Sequence, residues 1–305
     1  MRITRTRTAA GIALSALALT TVPAAVADAT PTAPSVAHHR TADTIHQVPL
    51  QGAVNVRDVG GYRTYDGKRV GYGRAYRADG LSKLTDADLT TVAGLRLTKV
   101  IDYRVAAEAQ YDGADRLPGG LTATSRPVTD NGLFATLMTA IGSKDPVKQE
   151  EMLGNGKAAA FMREVYRTFV TDPTDRTQFA ATLRDIAASR APLLYHCTSG
   201  KDRTGWTTYL LLRLVGVPDS GARGDYLASN TYRAAYDAKL RETLKQTGMM
   251  QNPDLIIPLQ EVRADYLDTA LAEAEKQYGS LQGYLTKGLG LDAATIVTLR
   301  QRMVG

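Results

Sequence analysis

The sequence has only one cysteine, Cys197, among its 305 residues. A single thiol cannot form an intramolecular disulfide, and it leaves a cysteine-based zinc site without enough ligands. The composition also lacks any strong bias, because 27 glycines and 12 prolines are too few for a fibrous chain and 44% hydrophobic residues suit a globular core. If Cys197 has a chemical function, it performs that function as an individual thiol.

Long hydrophobic runs are confined to the start of the chain. Three arginines precede an apolar stretch over residues 9–19, and small residues follow up to Ala27. This order predicts a signal peptide over residues 1–27, cleaved after Ala27, and hence a secreted, extracellular protein. No later run approaches the roughly 20 apolar residues that cross a bilayer, so we expect no stable membrane insertion. Residues 28–45 are predicted to be a disordered linker, and residues 46–305 a single domain.

Signals for nucleic-acid, metal or nucleotide binding are weak. The formal net charge is +6, and loss of the three leader arginines leaves +3, which is too little to indicate a nucleic-acid partner. The residues His38, His39 and His46 fall in or near the linker without a carboxylate cluster, so we expect no metal. The pair Gly200-Lys201 lacks the upstream glycine of a nucleotide-binding loop. We therefore predict a protein without a cofactor.

Strand and helix patterns alternate through the body of the chain. Four short apolar or β-branched segments are predicted as strands, over residues 74–77, 99–103, 121–125 and 192–196. A helix is predicted to begin after Thr85, which forms a capping box with Asp88. Further helices are predicted over residues 158–170, 176–188 and 205–214, and in several segments after Asp219. The alternation predicts an α/β fold: a mainly parallel central sheet flanked by helices, with a largely helical C-terminal third.

One segment, residues 193–205, contains the candidate chemistry. An apolar strand ends at His196, a short loop begins with Cys197, and an apolar helix begins near Thr204. In such a unit the loop amides and the helix N-terminus converge and can bind an anion. The same dipoles stabilise a thiolate at the start of the loop, which makes it a nucleophile. Arg203 can grip two phosphate oxygens, and the hydroxyl of Thr204 can donate to the sulfur when it leaves.

The loop sequence His-Cys-Thr-Ser-Gly-Lys-Asp-Arg-Thr-Gly over residues 196–205 resembles the catalytic loop of the protein tyrosine phosphatase superfamily. It is most similar to the atypical bacterial tyrosine and dual-specificity phosphatases, which include secreted enzymes active on phosphoinositides. Three further segments resemble that family in the same chain order: residues 55–62, with Val56 in place of the usual phenylalanine, residues 101–104 and residues 278–285. The resemblance covers residues 48–303 and implies a tyrosine-phosphatase-like fold acting on phosphorylated proteins or phosphoinositides.

Six residues in or near the loop are predicted to bind the substrate phosphate: His196, Thr198, Ser199, Gly200, Lys201 and, at the end of the neighbouring strand, Asp102. Lys201 adds a second cation beside Arg203, which suits substrates with more than one phosphate. The carboxylate of Asp202 either orients Arg203, relays a proton, or is an ion-pair partner without a catalytic role. His196 either stabilises the loop backbone by hydrogen bonds or acts as a general base.

The N-terminal motif has no mechanism that is visible from its spacing. The resemblance implies that Asn55, Arg57 and Asp58 support the phosphate site. The alternative is a structural turn, which Asp58 stabilises before the pair Gly60-Gly61.

A general acid must protonate the leaving oxygen, and three aspartates are candidates. Asp130 follows the third predicted strand and stands where related enzymes have an acid on a mobile loop, whereas Asp102 ends a parallel strand at the edge where ligands bind. We favour Asp130, with Asp202 next and Asp102 as a structural or arginine-orienting residue. The adjoining residues 130–157 have weak periodicity and are predicted to be a mobile lid or loop, or else a surface insertion.

The sequence thus predicts a cysteine-dependent phosphatase. Cys197 attacks phosphorus, Arg203 and the loop amides hold the oxygens, and water hydrolyses the phosphocysteine. Phosphotyrosine is the expected substrate, with phosphoserine, phosphothreonine and phosphoinositides as further candidates. The alternatives are an inactive phosphate- or phosphoinositide-binding module on the same fold and a sulfur-transfer enzyme with a similar loop. The combination of Cys197, Arg203 and Thr204 favours the phosphatase.

Overall fold

A five-stranded sheet organises the part of the chain that the computed structural model describes, residues 45–305. The predicted signal peptide and all but the last residue of the predicted linker lie outside the described residues. The strands are β1 (Arg57–Asp58), β2 (Ala75–Ala78), β3 (Lys99–Asp102), β4 (Ala123–Ser125) and β5 (Leu193–His196). Their order is β1-β2-β5-β3-β4, and only β1 is antiparallel to its neighbour.

All four predicted strands are present, with ends that differ by one or two residues. The fifth, β1, was not predicted because two residues are too short for any periodicity. The α/β fold with a mainly parallel sheet is therefore confirmed.

Twelve α-helices occur among residues 45–305, and the predicted helices near residues 158–170, 176–188 and 205–214 are among them. They are α1 (Asp86–Gly94), α2 (Ala106–Asp112), α3 (Leu133–Ser143), α4 (Pro146–Leu153), α5 (Lys157–Thr171), α6 (Pro173–Ala188), α7 (Arg203–Leu214), α8 (Asp219–Gln246), α9 (Ile257–Gln260), α10 (Ala264–Tyr278), α11 (Leu281–Gly283) and α12 (Ala293–Met303). A 3₁₀ turn (Pro253–Ile256) and a π turn (Tyr284–Gly288) complete the helical C-terminal third. No helix in this described part is both long and apolar enough to cross a membrane.

The capping signals explain one correct prediction and one wrong one. Thr85 and Asp88 form the expected capping box at α1. Residues 130–157, in contrast, are not a loop but contain the helices α3 and α4. The start of α4 has a sequence signal that was overlooked: the Asp145 side chain accepts hydrogen bonds from the first-turn amides, and Pro146 is the first helical residue. The N-cap position of helix α3 is Gly132, which has no side chain, and only one residue of the helix is buried, so its sequence signal was weak.

The hydrophobic core lies on both faces of the sheet. Along β5, Leu193 and Tyr195 belong to the larger cluster, whereas Leu194 belongs to the smaller cluster together with Val92 of α1. This alternation follows from the two-residue period of a strand. Helix α7 is buried over Arg203–Leu212, so the sheet and the surrounding helices fix the segment after β5 on all sides.

Candidate active site

The strand register brings the predicted site residues to one edge of the sheet. His196 is paired with Ala78 on one side and with Asp102 on the other, at the carboxyl ends of three parallel strands. Cys197 follows directly and is buried, and six residues, 197–202, connect β5 to α7. Ligands bind at this edge in open α/β sheets.

Gly200 allows the loop to pass close to β2. Its φ is +65°, and a Cβ atom there would lie 2.4 Å from the carbonyl oxygen of Ala78. Only glycine adopts this conformation at this distance without strain. The loop is therefore packed directly against the end of the neighbouring strand.

The carbonyl groups of the loop point toward the surrounding scaffold. The amide of Gly80 donates to the Thr198 carbonyl at 3.0 Å. Asn55 donates from Nδ2 to the carbonyls of Ser199 and Gly200, both at 3.1 Å. In a trans peptide the N–H points away from the preceding C=O. The amides that follow these carbonyls consequently face the opposite side of the loop.

Those amides form an anion-binding arrangement. Within residues 45–305, no backbone amide of residues 198–203 donates a hydrogen bond to another protein group. They lie directly before and at the N-terminus of the twelve-residue helix α7, whose dipole also favours an anion. The predicted anion cradle is therefore supported by the geometry of the loop backbone.

Arg203 is held by Glu108, a residue that the sequence analysis missed. The two terminal nitrogens of Arg203 donate to the two carboxylate oxygens at 2.7 and 2.5 Å, and Thr198 Oγ1 donates to Glu108 at 2.7 Å. Burial disfavours both charges, but the attraction between them outweighs it, so the pKa of Glu108 is lowered and that of Arg203 is raised. The structure thus assigns the orientation of Arg203 to Glu108, not to Asp202.

Asp202 is paired with its neighbour Lys201. The lysine Nζ lies 2.6 Å from Asp202 Oδ2 and 3.4 Å from the Glu261 carbonyl. The hydroxyl of Tyr166 donates to Asp202 Oδ1 at 3.0 Å and itself accepts from Tyr226 at 2.9 Å. The ion-pair alternative for Asp202 describes these contacts, although a proton of the Tyr166 hydroxyl is also within reach of the carboxylate.

His196 lies beneath the loop in a fully buried position. Its Nε2 is 2.8 Å from Asp115 Oδ2, and its Nδ1 is 3.3 Å from the Cys197 carbonyl. Burial lowers the pKa of His196, but the hydrogen bond and charge of Asp115 together with the charge of Asp102 outweigh it and raise the pKa, and the pKa of Asp115 is lowered. These contacts agree with the loop-stabilising alternative for His196.

Asp102, Asp115 and His196 form the one group among the described residues with the composition of a metal site. The guanidinium of Arg104 already lies between the two carboxylates, with Nη2 at 2.9 Å from Asp102 Oδ2 and 2.8 Å from Asp115 Oδ1. This cation neutralises the oxygens that a metal would need. Asp102 therefore orients an arginine, which is one of the roles predicted for it.

Asp130 and Asp58 both bind backbone amides. Asp130 accepts from Gly132 at 3.0 Å and Phe134 at 2.7 Å, and so holds the start of α3. Asp58 accepts from the Gly60 amide at 2.7 Å and from a second amide just before β2, at the opposite end of that strand from the loop. The implied phosphate-site role of Asp58 is thus corrected to the structural turn.

Asn55 contacts the loop directly, and Arg57 acts on the loop through Asn55. Arg57 Nη1 donates to Asn55 Oδ1 at 2.5 Å, which leaves the amide nitrogen of Asn55 directed at the loop carbonyls. Arg57 Nε donates to Asp225 of α8 at 2.9 Å. The Thr204 hydroxyl is also buried at this site, and it has no hydrogen-bond partner within residues 45–305.

Comparisons with known proteins agree with this fold and loop. The sequence profile of the tyrosine phosphatase family matches residues 48–305. The triple specificity protein phosphatase PtpB of Mycobacterium tuberculosis is 30% identical over 277 residues, covering 84% of this chain and 98% of the relative. A Cupriavidus necator protein, named provisionally as a tyrosine-protein phosphatase, is 32% identical over 82% of this chain and 87% of its own length. The chain therefore belongs to the tyrosine phosphatase family and is a protein-tyrosine phosphatase.

Proposed function

We propose that the enzyme hydrolyses phosphotyrosine through a phosphocysteine intermediate on Cys197. The observation that carries this proposal is the orientation of the loop. Three of its carbonyls are bonded outward, and among the described residues the amides of residues 198–203 have no protein acceptor, between the one thiol of the chain and Arg203. Donors fixed in this way stabilise charge on phosphate oxygens without reorganising during the reaction.

In this mechanism the Cys197 sulfur attacks phosphorus while the amides and Arg203 bind the three non-bridging oxygens. The bond from phosphorus to the phenolic oxygen breaks, and a carboxylic acid supplies the proton to that oxygen. Water then attacks the phosphocysteine, inorganic phosphate leaves, and the thiolate is restored. The buried hydroxyl of Thr204 donates to the departing sulfur in the second step.

The contacts change our preference for the general acid from Asp130 to Asp202. Both oxygens of Asp130 accept backbone amides, and Asp102 is held by Arg104. Asp202 is instead bound by two side chains, and it directly precedes Arg203 at the end of the loop. Neither contact of Asp202 is with a helix N-terminal amide, in contrast to the contacts of Asp130. The carboxylate of Asp202 is thus the one that substrate can most easily engage.

Leaving groups of different acidity test this assignment. We expect Asp202→Asn to slow the hydrolysis of phenyl phosphate by about 10²-fold or more, and that of 4-nitrophenyl phosphate much less, because a more acidic phenol needs less protonation. Asp130→Asn is the matched comparison. If Asp130→Asn shows the leaving-group dependence and Asp202→Asn does not, the acid is Asp130.

The range of substrates is also proposed to be broad. Lys201 is a second cation of the loop, two positions before Arg203, and the related Mycobacterium tuberculosis enzyme is named for triple specificity. We therefore include phosphoserine, phosphothreonine and phosphoinositides among the substrates. The predicted signal peptide over residues 1–27 supports a role outside the cell.

The deciding experiment measures phosphate release by residues 28–305 without added metal. The substrates are a phosphotyrosine peptide, a phosphoserine peptide and a set of phosphoinositides, and Cys197→Ser is assayed in parallel. We expect release from phosphotyrosine that Cys197→Ser abolishes. Binding of tungstate without any phosphate release would support the inactive binding module. A persulfide on Cys197 without phosphate release would support sulfur transfer.

A further inference from the structure

A buried cluster of charged residues lies behind the loop, on the side opposite the converging amides. It consists of Arg57 on β1, Arg77 on β2 and Asp225 on α8, and all three side chains are fully buried. Neither Arg77 nor Asp225 belongs to a motif that the sequence analysis identified. Burying three charges is costly, so their arrangement calls for a physical reason.

Asp225 fixes the two arginines in single orientations. Its Oδ2 accepts from Arg57 Nε at 2.9 Å and from the Tyr62 hydroxyl at 2.8 Å, and its Oδ1 accepts from Arg77 Nη1. These donors outweigh the effect of burial and keep the pKa of Asp225 well below its ordinary value. The carboxylate is therefore ionised and fully bonded, and the planar guanidinium of Arg77 cannot rotate without breaking these contacts.

The other terminal nitrogen of the Arg77 guanidinium contacts the loop. Its Nη2 donates to the Gly200 carbonyl at 2.7 Å, which is shorter than the 3.1 Å contact from Asn55 to the same oxygen. The cluster has two arginine charges and one carboxylate charge. Arg77 therefore brings a cationic donor to this carbonyl, and hydrogen bonds from charged donors are the stronger kind.

The peptide after Gly200 needs such a partner. Glycine permits the positive φ that the loop requires, but its backbone is also the least restricted of any residue, so the orientation of the Gly200–Lys201 peptide depends on the partners of the Gly200 carbonyl. If this peptide turned over, the carbonyl oxygen would face the bound anion and repel it. The amide of Lys201 would then point away from the anion, and the loop would lose one donor.

We propose that Arg77 is a positioning residue that keeps the Gly200 carbonyl turned away from the substrate phosphate, and that Asp225 positions Arg77 for this contact. The proposal rests on the proposed function, because it assumes that the loop binds a phosphate. Arg77 does not touch the reacting atoms. Its effect is on the number of amides that the loop presents to an oxyanion.

The test measures the affinity of residues 28–305 for inorganic tungstate by calorimetry, which requires no turnover. We expect Arg77→Gln to weaken tungstate binding about tenfold or more, the loss that one charged hydrogen bond accounts for. Arg77→Lys should also weaken binding, because an ammonium lacks the planar pair of terminal nitrogens with which Arg77 contacts Asp225 and the Gly200 carbonyl. It keeps a charge beside Asp225 and so tests the proposal if Arg77→Gln does not fold.

Arg184→Gln is the matched control. Arg184 Nη2 also donates to a glycine carbonyl at 2.7 Å, that of Gly290, which is not part of the loop. We expect its tungstate affinity to be unchanged. If the folded Arg77 variants have a lower unfolding temperature but bind tungstate as tightly as the wild type, Arg77 is only structural and the proposal is overturned.

The wild-type chain separates the two proposals. If it binds tungstate but releases no phosphate from any substrate, the proposed function fails and the positioning role of Arg77 can still be measured. If the wild type does not bind tungstate, the positioning role of Arg77 is overturned, and the proposed function is overturned as well only if no phosphate is released.

Discussion

Both terminal nitrogens of Arg203 donate hydrogen bonds to the carboxylate of Glu108, although 95 positions separate the two residues in the sequence. The carboxylate also accepts from Thr198, so one side chain of α2 holds both ends of the loop. A phosphate-binding arginine is effective only when its planar fork faces the oxygens. Glu108 is therefore the residue on which the geometry of Arg203 depends most directly.

We expect Glu108→Gln to lower kcat/KM by about 10²-fold, because a displacement of about 1 Å in a positioned group costs that much. The neutral amide keeps one acceptor but places its NH₂ group against the guanidinium. The control is Glu164→Gln, which breaks an exposed pair with Arg167. Equal activity of Glu108→Gln and wild type would show that Arg203 is oriented by other contacts.

Thr204 offers a second kinetic test. We expect Thr204→Val to slow hydrolysis of the phosphocysteine more than its formation, because the departing sulfur loses a hydrogen-bond donor. Rapid-quench measurements should then show a burst of phenol release followed by a slow steady state. Thr204→Ser keeps the hydroxyl and should behave like wild type. An equal decrease in the rates of phosphocysteine formation and hydrolysis, without a burst, would contradict the proposed role of Thr204.

Asp175 is expected to destabilise the fold at neutral and higher pH. Burial raises its pKa to about 7, and its Oδ2 has no hydrogen-bond partner among the described residues. The pKa of Asp175 in the folded protein lies above its ordinary value of 3.8. The contribution of Asp175 to the free energy of unfolding is therefore most favourable below pH 3.8, and it is lost as the pH rises through 7.

Replacement of Asp175 by Asn should therefore raise the free energy of unfolding at pH 8, by up to about 4 kcal/mol. The neutral side chain still accepts from the Thr129 amide, which now contacts Oδ1 at 2.9 Å. Denaturant unfolding at pH 5 and pH 8 measures the effect, with the exposed Asp265→Asn as control. An equal or lower stability of Asp175→Asn at pH 8 would refute the prediction.

The pair of His196 and Asp115 should lose its contribution to stability on both the acid and the alkaline side of an intermediate pH range. The pKa of His196 is raised, so its contribution is complete below 6.5 and is lost as the pH rises through the folded value. The pKa of Asp115 is lowered, so its contribution is present above 3.8 and is lost as the pH falls through the folded value. The pair therefore stabilises the fold most between pH 3.8 and 6.5.

Unfolding of Asp115→Asn across this pH range measures that contribution. We expect its deficit relative to wild type to be largest between pH 4 and 6.5 and to shrink at higher pH. The surface pair of Asp86 and Arg116 provides the control, because exposed ion pairs contribute little. A deficit of Asp115→Asn that does not vary with pH would mean that protonation of His196 is not involved.

The sequence was sufficient for features that depend on neighbouring residues. The strands, the Thr85 capping box and the loop from Cys197 to Arg203 each lie within a short segment, where periodicity and turn chemistry are visible. The two helices that were not predicted within residues 130–157 also have a local cause. The Asp145-Pro146 signal was present, but the N-cap position of α3 is a glycine and only one residue of that helix is buried.

Residues that act across the fold could not be predicted in the same way. Asp115 lies 81 positions from His196, and Asp225 lies 148 positions from Arg77. Each is an ordinary acidic residue in its own segment. Only the packing of α2, α8 and the segment after α2 against the sheet gives them their partners.

The sequence by itself determined the class of fold and the identity of the loop, because both depend on residues that are adjacent in the chain. The tertiary structure decided which charges hold the loop in place. A buried carboxylate or guanidinium is tolerated only where another element supplies its partner, and that partner is chosen by distance in space. The contacts of Glu108 with Arg203 and of Arg77 with Gly200 exist for this reason.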